Sequence, residues 1–467
     1  MQNNNTKTFT QKDHVVVGID VGTTKIAVFI ARKNENDEIE IIGRGKTPSV
    51  GVERGDVKNI TKTADSIKKA VDQAEAQSGY KVTEAFVGIA GFNIRTQHHR
   101  VTKIIQEDNH IITNEDIQSI IKELYNISLS PGDQIVDIVP QNYIIDGDSG
   151  VSDPVGRVGK SIECNFNLIS ADVTNIKNIH RSVEMAGYKV KNLILQPIAS
   201  AEAVIDEVDK TAGICLVDIG GGTTDVAIYH EGVLRHTSVI QLAGNSITND
   251  IKEGCTIITS QAEALKQKYG DCIPSKQQEN DIISIPGFKG RESREIKVSK
   301  LTEIIHERVE MILNQVLLDI KTTGFEKKLL GGIILTGGGA MIKNLPQLTE
   351  YITGGIATRI GESDFNIAKL PQDMADIRHP MYATGIGLVI KGFEYYEEND
   401  DFPEMPIEET LETITEETQE IPEPEKLEEP KKEEKKEKKK KVKQTKEGGL
   451  ASKINKILRG IISDGVE

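Results

Sequence analysis

An α/β fold made by duplicating one half is what this sequence predicts, and three observations carry the prediction. The first is an internal repeat: Val16-Val-Gly-Ile-Asp-Val-Gly-Thr-Thr-Lys-Ile-Ala-Val-Phe is echoed by Cys215-Leu-Val-Asp-Ile-Gly-Gly-Gly-Thr-Thr-Asp-Val-Ala-Ile-Tyr. Asp20 answers Asp218, Gly22 answers Gly220, and Thr23-Thr24 answer Thr223-Thr224. The second is the alternation of β-branched, strand-like runs with helix-like segments from 13 to 396. The third is composition: 467 residues, 37% hydrophobic and 28% charged, lie near the globular average and supply several domains' worth of chain.

Each copy of the repeat is a β-branched run, a Gly/Thr turn and a second β-branched run, the signature of a β-hairpin. Glycines let backbone approach a ligand and take positive φ, so that successive N–H groups converge on an anion. The threonine hydroxyls add donors at the same tip. Two such tips facing across a cleft would grip a pair of phosphates through Gly22, Thr23, Thr24 and Lys25 on one side and Gly220, Gly221, Gly222, Thr223 and Thr224 on the other. Two ordinary hairpins with turn-capping aspartates are the alternative, but that leaves the shared Gly and Thr-Thr unexplained. Mg²⁺ keeps most of its waters and needs only one or two carboxylates, a role that suits Asp20 and Asp218. A third cluster, Gly337, Gly338 and Gly339, follows the strand-like Gly331-Gly-Ile-Ile-Leu-Thr, and a helix-like pattern resumes from Ile342 to Leu348. A strand–glycine–helix junction brings backbone and a helix N-terminus to a ligand.

Charge and hydropathy narrow the class. The net charge is −15, of which 19 acids and 11 bases in residues 397–447 contribute −8. An acidic body disfavours nucleic acid, which demands a basic face. No apolar run approaches the roughly 20 residues needed to cross a bilayer. The N-terminus lacks the apolar core of a secretory signal. Cys164, Cys215, Cys255 and Cys272 show no CxxC spacing, which fits a reduced cytosol and no structural zinc.

Residues 397–447, Glu/Pro-rich and then Lys-rich, hold too few apolar side chains to offset their ordering entropy and read as a disordered linker. By coil scaling it spans about 40 Å r.m.s.. Residues 448–467 recover a pattern. Leu450, Ile454, Ile457, Leu458, Ile461 and Ile462 form one helical stripe, with Lys453, Lys456 and Arg459 off it. The segment is too short to span a bilayer and marginal as a helix alone. A basic amphipathic helix behind a long linker reads as an interfacial anchor on anionic lipids. Docking onto the body or into a partner's groove is the alternative.

The ordered set Asp20-x-Gly-Thr-Thr, Asp218-Ile-Gly-Gly-Gly-Thr-Thr-Asp and Thr336-Gly-Gly-Gly-Ala resembles the phosphate 1, phosphate 2 and adenosine motifs of the actin, sugar-kinase and heat-shock-chaperone ATPase superfamily. Longer strings resemble its FtsA family of actin-like bacterial division proteins. They are Asp153-Pro-Val-Gly-Arg-Val-Gly, Leu234-Arg-His-Thr, Ala243-Gly-Asn-Ser-Ile-Thr-Asn-Asp-Ile, Gln261-Ala-Glu-Ala-Leu-Lys-Gln-Lys-Tyr-Gly and His379-Pro-Met-Tyr-Ala-Thr-Gly-Ile-Gly-Leu. The resemblance implies a subdomain 1A at 13–84, 164–205 and 380–396, an FtsA-type insertion 1C at 85–163, a subdomain 2A at 206–245 and 305–379, and a 2B at 246–304.

It further implies that Glu263 and Lys266 contact the nucleoside, and at i, i+3 one helical face presents both. An ordinary surface ion pair fits that spacing equally. Gln196 takes the place of the residue that orients the attacking water, and Gln positions water without being a strong base. ATP is then a conformational and assembly cofactor, with weak hydrolysis at most. The family's implied role is a polymerising scaffold, peripheral on the cytoplasmic face of the inner membrane at the division site. It binds the FtsZ C-terminal tail through 2B and helps recruit later division proteins. The long charged linker departs from the shorter ones expected. Two alternatives come from the same motifs. A soluble sugar-kinase-like enzyme needs a substrate base for which no residue stands out, and a chaperone-like ATPase needs a β-rich substrate domain that 397–467 cannot form.

Overall fold

The computed structural model describes residues 15–91, 94–105, 110–151, 153–275, 280–287, 292–363, 367–368 and 372–398. Residues 399–467, with the expected charged linker and the nine side chains assigned above to membrane binding, lie outside the described residues.

The first half begins with β1 (Val15–Val21) and β2 (Lys25–Lys33), an antiparallel hairpin closing at Val21↔Ile26, with β3 (Ile39–Pro48) beside it. The near-continuous apolar runs of β1 and β2 are buried along almost their whole length, as strands covered on both faces must be. A small ribbon, β4 (Val52–Glu53) and β5 (Asp56–Val57), leads into α1 (Ile60–Ser78). The Asn59 side chain caps the start of α1 by accepting from the Lys62 N–H, and Gly79 ends it in the left-handed region at φ 72°. Strand β6 (Glu84–Ile89) then returns parallel to β1.

An inserted unit follows: β7 (Arg95–Ile104), α2 (Asn114–Tyr125), β8 (Asp133–Ile145), β9 (Asp148–Val151) and β10 (Ser161–Asp172). Its sheet runs β7-β10-β8-β9 and has its own core, built around Ile120, Leu124, Ile162, Phe166 and Leu168. The chain returns through α3 (Val173–Met185) to β11 (Lys189–Leu195), completing a first sheet of order β3-β2-β1-β6-β11, and enters α4 (Gln196–Val204).

The second half repeats the plan. After α5 (Glu207–Ala212), strands β12 (Ile214–Ile219), β13 (Thr224–His230) and β14 (Val233–Ile240) form an antiparallel meander. Helices α6 (Gly244–Cys255) and α7 (Thr259–Tyr269), the hairpin β15 (Ile282–Ile285) with β16 (Arg294–Lys297), and the long α8 (Val298–Thr323) follow. Strand β17 (Gly332–Thr336), α9 (Leu345–Ile352) and β18 (Thr358–Ile360) close a second sheet of order β14-β13-β12-β17-β18. The two sheets share one topology: third, second, first, fourth and fifth strand. The duplication read from the motifs is thus a duplication of architecture, an actin-like α/β fold. Helix α10 (Ala383–Glu398) returns to the first half and packs on β1, β2 and α4.

Three expected boundaries shift. Strand β6 pairs with β1 at Gly18↔Phe86 and Ile19↔Val87, so it belongs to the first sheet and not to an insertion starting at 85. Strand β10 keeps pairing with β7 and β8 well past residue 163, so the insertion runs to Asp172. The 304/305 boundary falls inside α8, a single continuous helix.

The insertion also covers the free edge of the second sheet. Thr96 Oγ1 donates to the Thr237 carbonyl at 3.2 Å, Gln141 Nε2 to that of Leu234 at 2.9 Å, and Asn167 Nδ2 to that of Arg235 at 3.0 Å. Arg235 Nη1 donates back to the Gln141 carbonyl at 3.0 Å. A unit joined covalently to the first half therefore holds the second.

Candidate functional site

Between the halves lies a cavity of about 920 Å³, a size typical of small-molecule sites. The two hairpin tips form its centre. They are matched tight turns, the Gly22 N–H donating to the Lys25 carbonyl at 3.1 Å and the Gly220 N–H to that of Thr223 at 2.9 Å.

The reason for glycine here differs from the expected one. None of Gly22, Gly220, Gly221 and Gly222 occupies the left-handed region. Proximity requires the middle pair: a Cβ on Gly221 would lie 1.8 Å from Thr24 Oγ1, and one on Gly222 would lie 2.4 Å from Thr23 Oγ1 and 2.9 Å from the Arg54 Cα. The tips touch across the cleft, and only a bare backbone fits between them. Gly337 does need positive φ, at 83°, and a Cβ there would meet Asp218 Oδ1 at 2.2 Å. The helix expected from Ile342 begins later. Residues Gly338–Met341 make a 3₁₀ turn, Ile342 is extended, Asn344 is left-handed, and α9 starts only at Leu345.

Three carboxylates line the first-half floor and the hairpin. Asp20 accepts from Lys25 Nζ at 2.9 Å through one oxygen and from Gln196 Nε2 at 3.3 Å through the other. Burial pulls the Lys25 pKa down, but Asp20 outweighs it and leaves the ammonium held above its ordinary value. Asp218 accepts from Ser200 Oγ at 2.7 Å and from Thr384 Oγ1 at 3.3 Å; burial, reinforced by the nearby Asp20 charge, raises its pKa. Asp225, to which the sequence reading gave no role, is buried with Oδ1 lacking a hydrogen-bond partner. Burial, then Asp218 and Asp20, push its carboxyl well above the usual range.

Among the described residues no group of three or more side chains is arranged to hold a metal directly. Asp225 lines the cavity, but its unpartnered Oδ1 is itself buried. An acid whose folded pKa is raised loses stability as pH climbs from its unfolded value toward the folded one. Replacing Asp225 by asparagine is therefore expected to raise the melting temperature of the nucleotide-free chain at pH 7.5, by about 1 °C per kcal/mol recovered. A lower melting temperature would mean the cleft already compensates that charge.

On the opposite wall, α7 presents Glu263 and Lys266. Lys266 Nζ lies 2.8 Å from Glu263 Oε2 and also donates to the Gly244 carbonyl at 3.0 Å and to Thr248 Oγ1 at 2.8 Å. Burial works against the Glu263 carboxylate, but its bonds from Lys266 and Thr248 prevail and lower its pKa. The two residues make the ion pair that their spacing allows and also line the cavity.

The cavity wall brings together Asp20, Gly22, Thr23, Thr24, Lys25, Gln196, Asp218, Gly220, Gly221, Gly222, Thr223, Glu263, Lys266, Gly337, Gly338 and Gly339. Thr224 does not face it: fully buried, it donates to the Leu242 carbonyl at 2.7 Å and pins the hairpin to the turn before α6. The reading missed Lys46, Asn245, His379 and Thr384 in the wall. Asn245, His379 and Thr384 belong to strings singled out above, but nothing local marked them as facing a ligand. Among the described residues, no helix is long and apolar enough to cross a membrane.

Comparison with known proteins follows the same outline. The family model described as "Cell division protein FtsA" matches residues 215–387, and that described as "SHS2 domain inserted in FTSA" matches 91–170, close to the observed insertion. The chain is 31% identical over 414 residues to the cell division protein FtsA of Pseudomonas aeruginosa, covering 86% of this chain and 97% of that one. It is 35% identical over 384 residues to that of Neisseria meningitidis, covering 81% and 90%. Among solved structures, one described as the PilM-PilN type IV pilus biogenesis complex aligns at a TM-score of 0.60 and 14% identity, covering 81% of this chain and 98% of that one. That last likeness is one of fold.

Proposed function

The chain belongs to the FtsA family of actin-like cell division proteins, and from that premise we propose that it is an ATP- and Mg²⁺-dependent scaffold anchoring the FtsZ ring to the membrane. The observation that carries the proposal is the interdomain cavity, where two touching phosphate-type tips, a glycine turn and an acid–lysine pair converge. Gly22–Thr24 and Gly220–Thr223 would hold the phosphates, Glu263 and Lys266 the ribose, and Gly337–Gly339 the nucleoside. Asp20 and Asp218 would hold magnesium through its waters, and the ion when bound screens phosphate charge.

Each half contributes one tip, so an anion gripped by both fixes the angle between halves. Filament assembly from such units then becomes nucleotide-dependent. Gln196, which bonds to Asp20, would position water but is no strong base, which suits slow turnover at most. The FtsZ tail is assigned to 2B, here α6, α7, β15, β16 and the start of α8. Later division proteins are further partners. The 448–467 helix is the anchor to anionic lipids on the cytoplasmic face of the inner membrane at the division site. One short helix binds weakly, and polymerisation supplies avidity. The sugar-kinase-like and chaperone-like alternatives yield to the family membership, which covers more than four fifths of the chain.

Liposome flotation tests this, with anionic vesicles, ATP–Mg²⁺ and FtsZ, comparing the full chain with one ending at Lys446. FtsZ floating only with the full chain is expected. Flotation of the protein without FtsZ would overturn the partner, and flotation of neither would overturn the anchor.

A further inference from the structure

We propose that Lys46 recognises the terminal phosphate of a nucleoside triphosphate in the cleft, so that this one side chain separates triphosphate from diphosphate. The inference rests on the nucleotide reading of the cavity and deepens it.

Three lysines line the cavity: Lys25, Lys46 and Lys266. Two are already committed, Lys25 to Asp20 at 2.9 Å and Lys266 to Glu263 at 2.8 Å. Lys46 has only soft, uncharged contacts among the described residues. Its Nζ lies 3.5 Å from Met381 Sδ and 5.5 Å from the centroid of the Tyr382 ring. A charge resting on a ring and a thioether at an exposed position is easily drawn away. The cavity also holds four acids, Asp20, Asp218, Asp225 and Glu263, and Lys46 is the cavity lysine with no carboxylate partner among the described residues, free to meet a phosphate beside the bound ion.

Register sets where that charge acts. In the β2–β3 pair, Lys25 faces Pro48 and Ala27 faces Lys46. Residues two apart on a strand share a face, so Lys25 and Lys46 are diagonal neighbours on one side of the sheet. Lys25 bonds Asp20, and Asp20 bonds Gln196, so Lys46 shares its sheet face with the lysine that is linked through Asp20 to the group assigned to the attacking water. This is the phosphate end, remote in sequence and element from the Glu263–Lys266 pair on α7. Met381, which Lys46 touches, would lie 3.9 Å from a Cβ on Gly338. Burial, then Lys46, lowers the pKa of its neighbour His379, against the opposing pull of Asp376.

The test is calorimetric titration of the full chain with ATP–Mg²⁺ and ADP–Mg²⁺, for the parent, Lys46→Met and Lys46→Arg. Lys46→Met is expected to weaken ATP by about tenfold, the loss of one charge-assisted contact, while ADP stays within about twofold. Lys46→Arg is expected to keep most of the ATP preference, and all three chains to melt together. Equal weakening of both nucleotides, or no change in either, overturns the assignment. A parent chain that binds neither nucleotide overturns the nucleotide reading itself.

Discussion

Replacing Gly221 by alanine is expected to lower the affinity for ATP by about 10- to 100-fold while leaving each half folded, the range for losing one or two charge-assisted hydrogen bonds. The added Cβ would sit 1.8 Å from Thr24 Oγ1 and 3.0 Å from Thr24 Cβ. The two tips must part, and backbone N–H groups that converge on one anion then diverge. A double-mutant cycle isolates this cause from a general loss of structure. In a Thr24→Ala background the offending oxygen is gone, so Gly221→Ala should cost distinctly less. Equilibrium titration with a fluorescent ATP analogue reads both effects. Parent-like binding by Gly221→Ala would mean that the tips do not close on the nucleotide.

The second large effect concerns stability. Gly387 lies on α10 where it crosses α4, and a Cβ there would fall 1.6 Å from the Ala199 carbonyl oxygen. That obstacle is helix backbone and cannot rotate away. Gly387→Ala is therefore expected at the upper end of overpacking penalties, about 3 kcal/mol, lowering the melting temperature by roughly 3–4 °C. Gly338→Ala is the contrast: its Cβ would meet nothing nearer than Met381 at 3.9 Å, with no positive φ to strain. It is expected within about 0.5 kcal/mol of the parent. Scanning calorimetry of the two variants checks both values, and similar melting temperatures would refute the crossing argument. The crossing matters for function too. Helix α4 carries Gln196 and Ser200, α10 carries Thr384, and these three side chains hold Asp20 and Asp218 in place. Gly387→Ala should thus weaken ATP binding as well as melting.

Much of this site was legible because its signals are local. A hairpin is written in a few consecutive residues, and the same one written twice fixed both tips and both strand-end aspartates. Thr224 went wrong for an equally local reason: it is the first residue of β13, and its side chain turns into the core while Thr223 stays at the tip. Lys46 was invisible because its relation to Lys25 exists only through the β2–β3 register. Thr384 and Ser200 meet at Asp218 from positions nearly two hundred residues apart, and no spacing rule reaches that far.

The sequence by itself determined the duplicated α/β architecture, the two hairpin tips, the glycine turn and the family, since repeats, periodicity and turn chemistry are properties of neighbouring residues. The tertiary structure decided which charges are satisfied and which are not: Lys25 and Lys266 neutralised, Asp225 left with an unpartnered oxygen, Lys46 facing no acid among the described residues. It also decided why Gly221 and Gly387 must be glycine. Desolvation and steric exclusion depend on which distant segments meet, and that is settled only when both halves have packed against each other.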